Sequence, residues 1–190
     1  MKRIIRKTLK YIFISFSSLL LPLFYDKTYL QGRWFEGCIS GWLWAWKGVW
    51  WRKIHRFNSR IPWPVSHQIR ISSAKNIVFH PDDLNNFQGF GNYYQNGTAK
   101  IIIGKGTYIA PNVGIITANH DPLNLDEHLP GKDVVLGEGC WIGMNSVILP
   151  GVILGPKTVV GAGSVVTKSF TEGHCLIVGN PASIKKRFGP

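Results

Sequence analysis

The 190 residues carry 22 Lys and Arg against 10 Asp and Glu, a net charge of +12 at pH 7. That length allows one fair-sized domain or a small domain with an appendage, and the charge favours the second: residues 1–70 hold 13 bases and two acids, whereas 71–190 are nearly neutral at +1. Cys38, Cys140 and Cys175 are odd in number, widely spaced and without a Cys-x-x-Cys pair, so they suggest neither a disulfide framework nor a zinc site and suit a reducing compartment.

Residues 1–10 are basic, and Tyr11 to Tyr25 then contains no charge. No small-x-small cleavage site follows, as a signal peptide would need. Fifteen helical residues would reach about 22 Å against a hydrocarbon core of roughly 30 Å, and Pro22 interrupts them. A re-entrant or in-plane segment is expected rather than a span. From Gly41 to Arg60, Trp42, Trp46, Val49 and Trp50 recur at helical spacing among Lys47, Arg52, Lys53, Arg56 and Arg60. Tryptophan favours the headgroup level, and each basic residue beside an anionic leaflet contributes about 1 kcal/mol. A membrane-surface role for residues 1–60 is therefore preferred over a helical cap whose tryptophans merely pack. The apolar run Leu19 to Phe24 argues against nucleic acid as the partner.

Residues 61–70 hold two prolines and read as an extended lead-in. Ile71 and Ile77 stand six apart, Pro81 to Gln95 loses that phase and reads as loop or distorted turns, and order returns at Ile103, Ile109 and Ile115. From Leu136 to Thr171 six hexads run in phase, opened by Leu136, Ile142, Ile148, Leu154, Val160 and Val166. Gly usually follows the aliphatic, and a small or apolar residue sits four places after it. A period of six fits neither a helix nor simple alternation, but it fits a short strand plus a corner, repeated. The fold expected is all-β, a parallel β-helix of hexapeptide repeats, behind an N-terminal helical segment. Its aliphatics fill a narrow prism, so function must lie on outer faces or between copies. The 21 positions from Ile115 to Leu136 are not a multiple of six. At least three residues must leave the coil, and about 121–133 is the polar, proline-bounded candidate, directly after His120. The boundaries expected are 1–65 for the basic aromatic head, 66–175 for the β-helix and 176–190 for a C-terminal tail.

Ile109-Ala-Pro-Asn-Val113, Ala118-Asn-His-Asp121, Cys140-Trp-Ile-Gly143, Pro150-Gly-Val152, Gly161 to Lys168 and Gly179-Asn-Pro-Ala182 together resemble the hexapeptide-repeat acyltransferases of the galactoside and maltose O-acetyltransferase type, and their polysaccharide-acetylating relatives. The resemblance implies left-handed coiling, a homotrimer, sites in the clefts between subunits, and acetyl-CoA as the acetyl donor with no metal. A sugar hydroxyl is too weak an acid to attack a thioester unaided, and neutral histidine is a suitable base. By resemblance His120 is that base, acting without a Ser or Cys nucleophile. Asn96 matches a position that helps hold the acceptor and stabilise an oxyanion, although a turn asparagine is an equal reading. The backbone N–H of Met144, just after Trp141 and Gly143, would serve the thioester oxygen. By the same resemblance Trp141, Gly143, Gly161, Ala162, Gly163, Thr167 and Lys168 would bind the coenzyme, and Lys185, Lys186 and Arg187 would meet its phosphates. His55, His67, His80 and His174 match nothing and are read as structural; His128, inside the excursion, could approach the site, but solvent exposure is the preferred reading.

The expected activity is O-acetyl transfer to a sugar of a bacterial surface polysaccharide, capsule or O-antigen, or its lipid-linked precursor, at the cytoplasmic face of the inner membrane. A soluble sugar or amino sugar is the alternative acceptor, and a non-catalytic trimeric membrane scaffold the alternative role. A γ-type carbonic anhydrase shares the repeat but needs three histidines, two of them close in sequence. His120 has no histidine within five residues.

Overall fold

The computed structural model describes residues 2–189, without the side chains of Lys2, Arg3, Lys53 and Ile54. The expected cations Lys2, Arg3 and Lys53 therefore lie outside the described side chains. The chain divides into two compact units at His67/Gln68.

The N-terminal unit is built on two helices, α1 (Lys2–Leu20) and α2 (Ser40–Ile54). A 3-10 turn, Leu21–Leu23, carries Pro22 where the first helix stops. The inward face of α2 is a row of small residues. A side-chain carbon on Gly41 would meet the Phe35 ring at 2.7 Å, and one on Gly48 would meet the Tyr25 hydroxyl at 2.4 Å. That hydroxyl donates to the Ala45 carbonyl at 3.0 Å, and burial pushes its pKa up to about 12, against the lowering effect of the Arg52 guanidinium beside it. Trp42 is also buried, and its ring nitrogen donates to the Phe35 carbonyl. The expected lipid-facing row of α2 is thus partly the packing row, because glycine and alanine let the chain approach on that side. Of the four spaced residues only Trp50 is exposed, while Trp46 and Val49 are half-buried.

The C-terminal unit is a parallel β-helix with three sheets. The first stacks Arg70–Ile71, Tyr93–Gln95, Gly114–Ile116, Val147–Ile148 and Val165–Val166. The second stacks Ile77–Val78, Ile101–Ile103, Val134–Leu136 and Ile153–Leu154, and the third stacks Tyr108–Ile109, Trp141–Ile142, Val159–Val160 and Cys175–Gly179. Trp141 pairs with Val159 and Val147 with Val165, so one coil is 18 residues, or three hexads. All six hexad openers from Leu136 to Val166 are at most 1% exposed. The residues four places on also point inward, and where they are polar they serve the corners: Ser146 donates to the Gly143 carbonyl and Thr158 to that of Gly155.

The glycine that follows Ile103, Leu136, Ile142 and Leu154 has a direct cause. A side-chain carbon at Gly104, Gly137, Gly143 or Gly155 would lie 2.2–2.7 Å from the backbone of the next coil. Coils about 4.8 Å apart leave no room for it there. Corner residues with positive φ stack likewise, Asn112, Asn145 and Gly163 in one corner and Gly106, Gly139 and Lys157 in another.

Two expectations for this unit are corrected. Within 81–95, Tyr93–Gln95 is a strand in register with Gly114–Ile116. The preceding 3-10 segment, Pro81–Phe87, stands in for a rung of the third sheet: the Asn86 amide donates to the Thr107 carbonyl and accepts from the Ile109 N–H. The C-terminal stretch is not a free tail. Leu176 and Ile177 continue the third sheet beside Val159 and Val160, and Ala182–Arg187 returns antiparallel along them.

Candidate active site

The excursion sits on the corner between the first and second sheets. Ile102 pairs with Val135, 33 positions on instead of 18, so 15 residues are inserted. Backbone bonds close its neck: the Thr117 N–H donates to the Gln95 carbonyl at 3.0 Å, and the Lys132 N–H to the Thr117 carbonyl at 2.7 Å. Beyond the neck the chain makes a hairpin, His120–Asp121 against Asn124–His128. Asp121-Pro122 sets its turn, with the Asp121 carboxylate accepting from the Leu123 N–H at 2.8 Å; aspartate and proline at the first two turn positions favour this conformation.

His120 is exposed on that hairpin, and its Nδ1 lies 2.7 Å from the Leu125 carbonyl oxygen. A carbonyl can only accept, so Nδ1 carries the proton and the lone pair is on Nε2. His128 is the cross-strand partner, with ring centroids 4.0 Å apart. Sequence reasoning set His128 aside as solvated. The polar, proline-bounded stretch pointed to an excursion, but the irregular register that brings 128 opposite 120 has no local signature. Leu125 was missed because its contribution is a backbone carbonyl.

The remaining expected site residues fall into three groups. Asn96 is fully buried, its amide accepting from the Ser73 N–H at 3.0 Å and donating to the Ser73 carbonyl at 2.7 Å. Both ends of that amide brace neighbouring coils. Trp141, Gly143 and Met144 run from the third sheet into the next corner. Trp141 is 58% exposed beside Tyr108 on the outer face. The Met144 carbonyl accepts from Gly163 N–H, whereas its own N–H has no partner among the described residues.

Around the last coils, Ala162, Gly163, Thr167 and Lys168 are exposed. A side-chain carbon on Gly163 would meet open space, so its φ of +71° is the reason for glycine. Gly161 differs, since a side-chain carbon there would strike Val178 at 2.5 Å. Coil stacking requires that glycine. Lys185, Lys186 and Arg187 lie exposed on the returning strand, and Arg187 is ion-paired to Glu172.

Burial raises the pKa of the Cys140 thiol, with hydrogen bonds from Thr158 and Thr107 pulling the other way. A buried thiol of that kind is a packing group rather than a nucleophile. His67 stacks on Trp51 at 3.9 Å, His80 caps the 3-10 segment through the Asp82 N–H, and His174 occupies a corner at φ +47°. Among the described residues, no three His, Cys, Asp or Glu side chains gather where they could hold a metal ion.

Residues 133–168 match the family of bacterial transferase hexapeptide proteins (six repeats). Over 155 residues the chain is 32% identical to a putative acetyltransferase of Saccharomyces cerevisiae, covering 71% of this chain and 78% of that protein. It is 38% identical over 100 residues to a putative lipopolysaccharide biosynthesis O-acetyl transferase of Escherichia coli, covering 46% of this chain and 50% of that one. A solved galactoside acetyltransferase in complex with coenzyme A is similar at TM-score 0.56 and 27% identity, over 67% of this chain and 62% of that one.

Proposed function

The chain belongs to the hexapeptide-repeat acetyltransferases, and we propose that it moves an acetyl group from acetyl-CoA to a sugar hydroxyl of a surface polysaccharide or its lipid-linked precursor. His120 carries this reading. Its Nδ1–H is held by the Leu125 carbonyl, so Nε2 is directed to accept the hydroxyl proton. The hydroxyl oxygen then forms its bond to the thioester carbon, the carbon–sulfur bond breaks, and Nε2 returns the proton to the departing sulfur. The carbonyl oxygen gathers negative charge on the way. The unpartnered Met144 N–H is the donor suited to it, an interaction often worth a few kcal/mol in such sites.

The donor side is fitted by the open corner at Ala162 and Gly163 and by Lys168, Lys185 and Lys186 for the phosphates. His120 and Met144 stand on different corners of one prism, which supports a left-handed homotrimer in which each site is completed by a neighbouring copy. Leu123 at the hairpin tip is 95% exposed, as expected of a side chain that a second copy covers. The chain's similarity to a putative lipopolysaccharide O-acetyl transferase and the +11 charge of residues 1–70 support a lipid-linked glycan at the cytoplasmic face of the inner membrane over a free sugar, with the enzyme peripheral there.

The test is incubation of the purified chain with acetyl-CoA and lipid-linked glycans, followed by mass spectrometry of the glycan. A gain of one acetyl group is expected. His120→Asn keeps a donor for the Leu125 carbonyl but removes the base, and transfer should fall about 10²–10⁴-fold. Full activity in that variant would overturn the assignment of the base.

A further inference from the structure

We infer that α1 lies in the plane of an anionic bilayer, with one bare apolar stripe set among the acyl chains. Ile5, Leu9, Ile12, Phe16, Leu19 and Leu23 are 52–76% exposed. Their spacing of 4, 3, 4, 3 and 4 places them on a single face of a helix continued into the following turn. The flank of the stripe already has its partner: Ser17 is fully buried and accepts from the Trp46 ring nitrogen at 2.9 Å. Helix α1 therefore has one side packed and one apolar side uncovered. Phe16 stacks on Trp46 at 5.9 Å, which joins the stripe to exposed Leu43 and Trp50 on α2. Six large apolar side chains along one helix face exceed the scattered exposure of an ordinary surface.

Charge decides what covers the stripe. Arg6 and Lys7 are exposed at its N-terminal end, and Lys47 stands beside Leu43 and Trp50. Two copies packed stripe to stripe would bring together units that each carry 12 bases and two acids. Anionic headgroups would instead neutralise them, the pairing expected of an interfacial helix. A crossing orientation is disfavoured because, among the described residues, no helix is long and apolar enough to span a membrane. The inference deepens the membrane placement proposed above and does not depend on the transfer chemistry.

The full chain is floated with vesicles containing phosphatidylglycerol and with neutral phosphatidylcholine vesicles, beside the Leu9→Glu/Phe16→Glu variant. Wild type should bind the anionic vesicles, and the variant should lose about ten-fold or more of that binding while acetylating a soluble acceptor at the wild-type rate. Binding unchanged by the two glutamates, or a variant altered only in oligomeric size, would overturn the inference. Depth gives an independent reading in a Cys38→Ser background. A fluorophore on Ile12→Cys should be quenched by nitroxide lipid, and one on Ser18→Cys, on the polar face, should not. Equal quenching at both sites would point to a spanning helix and refute the in-plane orientation. Loss of vesicle binding in wild type with transfer intact would remove the membrane placement and leave the acetyltransferase reading standing.

Discussion

Gly143→Ala tests at once why glycine follows the aliphatic and how the donor corner is held. A side-chain carbon at 143 would lie 2.6 Å from the Ala162 nitrogen and the Val160 oxygen, and 3.0 Å from the Ala162 α-carbon. These are backbone atoms of the next coil and cannot swing aside, so the coils must part by about 0.8 Å to reach ordinary contact. Two hydrogen bonds of 2.8 Å join the coils there, from Gly143 N–H to the Val160 carbonyl and from Gly163 N–H to the Met144 carbonyl. Stretched by that amount they no longer count as bonds. The loss is about 1 kcal/mol each, rising to about 2–5 kcal/mol together where the groups stay dry. Melting should fall by about 4–20 °C for a chain of this size. Gly163→Ala is the control, since its side chain enters open space and carries only the cost of φ +71°, about 1–2 kcal/mol. Differential scanning calorimetry should therefore rank Gly143→Ala below Gly163→Ala, and kcat should fall in the former as the Met144 N–H moves. Equal melting of Gly143→Ala and wild type would refute the stacking account.

His128 meets His120 at 4.0 Å between ring centroids. With His120 as the proposed base, His128→Ala should lower kcat about ten-fold with KM for acetyl-CoA unchanged, and His128→Phe, which restores a stacking ring, should recover most of it. Lys157 holds φ +53° in a corner where two earlier coils use glycine, so Lys157→Gly should raise the melting temperature, by about 0.5–1 kcal/mol of stability. Tyr25, pushed up to about 12 by burial, keeps its proton in the folded state above the pH at which the unfolded chain loses it. Stability is therefore complete below pH ~10 and declines from there to pH ~12. Absorbance titration of the phenolate, compared with Tyr25→Phe, measures it.

The regular part of the β-helix was legible because its cause is local. An aliphatic that must fill a prism and a glycine that must clear the next coil recur wherever the coil does, as at Leu136-Gly137 and Ile142-Gly143. Tyr93–Gln95 escaped because its coil departs from 18: Ile77 pairs with Ile101, 24 residues on, and Tyr93 with Gly114, 21 on. There Asn86 does with a side chain what a strand does with its backbone, so no aliphatic period marks the place. The uncovered stripe of α1 was hidden for another reason. Phe13 and Phe16 read alike in sequence, and only the docking of Ser17 against Trp46 shows which side is already filled. His120 was singled out by its neighbours in sequence, whereas the carbonyl and ring that hold it come from register across a hairpin.

That contrast explains why the candidate base stands on an insertion. A hexad strand contributes two or three residues to a rung, and those facing inward are consumed by the core. The outward ones lie on a flat sheet whose backbone is already paired on both sides, leaving no carbonyl to orient an imidazole. A hairpin raised from the corner supplies one: its bulged register leaves the Leu125 oxygen free to accept a hydrogen bond from Nδ1–H of His120. The neck bonds through Thr117 tie the hairpin to the coil, so the ring inherits the stiffness of the scaffold without being buried in it. The cost is an exposed apolar tip at Leu123 and Leu125. A second copy covering that tip would also bring its own donor corner toward Nε2, which makes assembly and site completion one event in this reading.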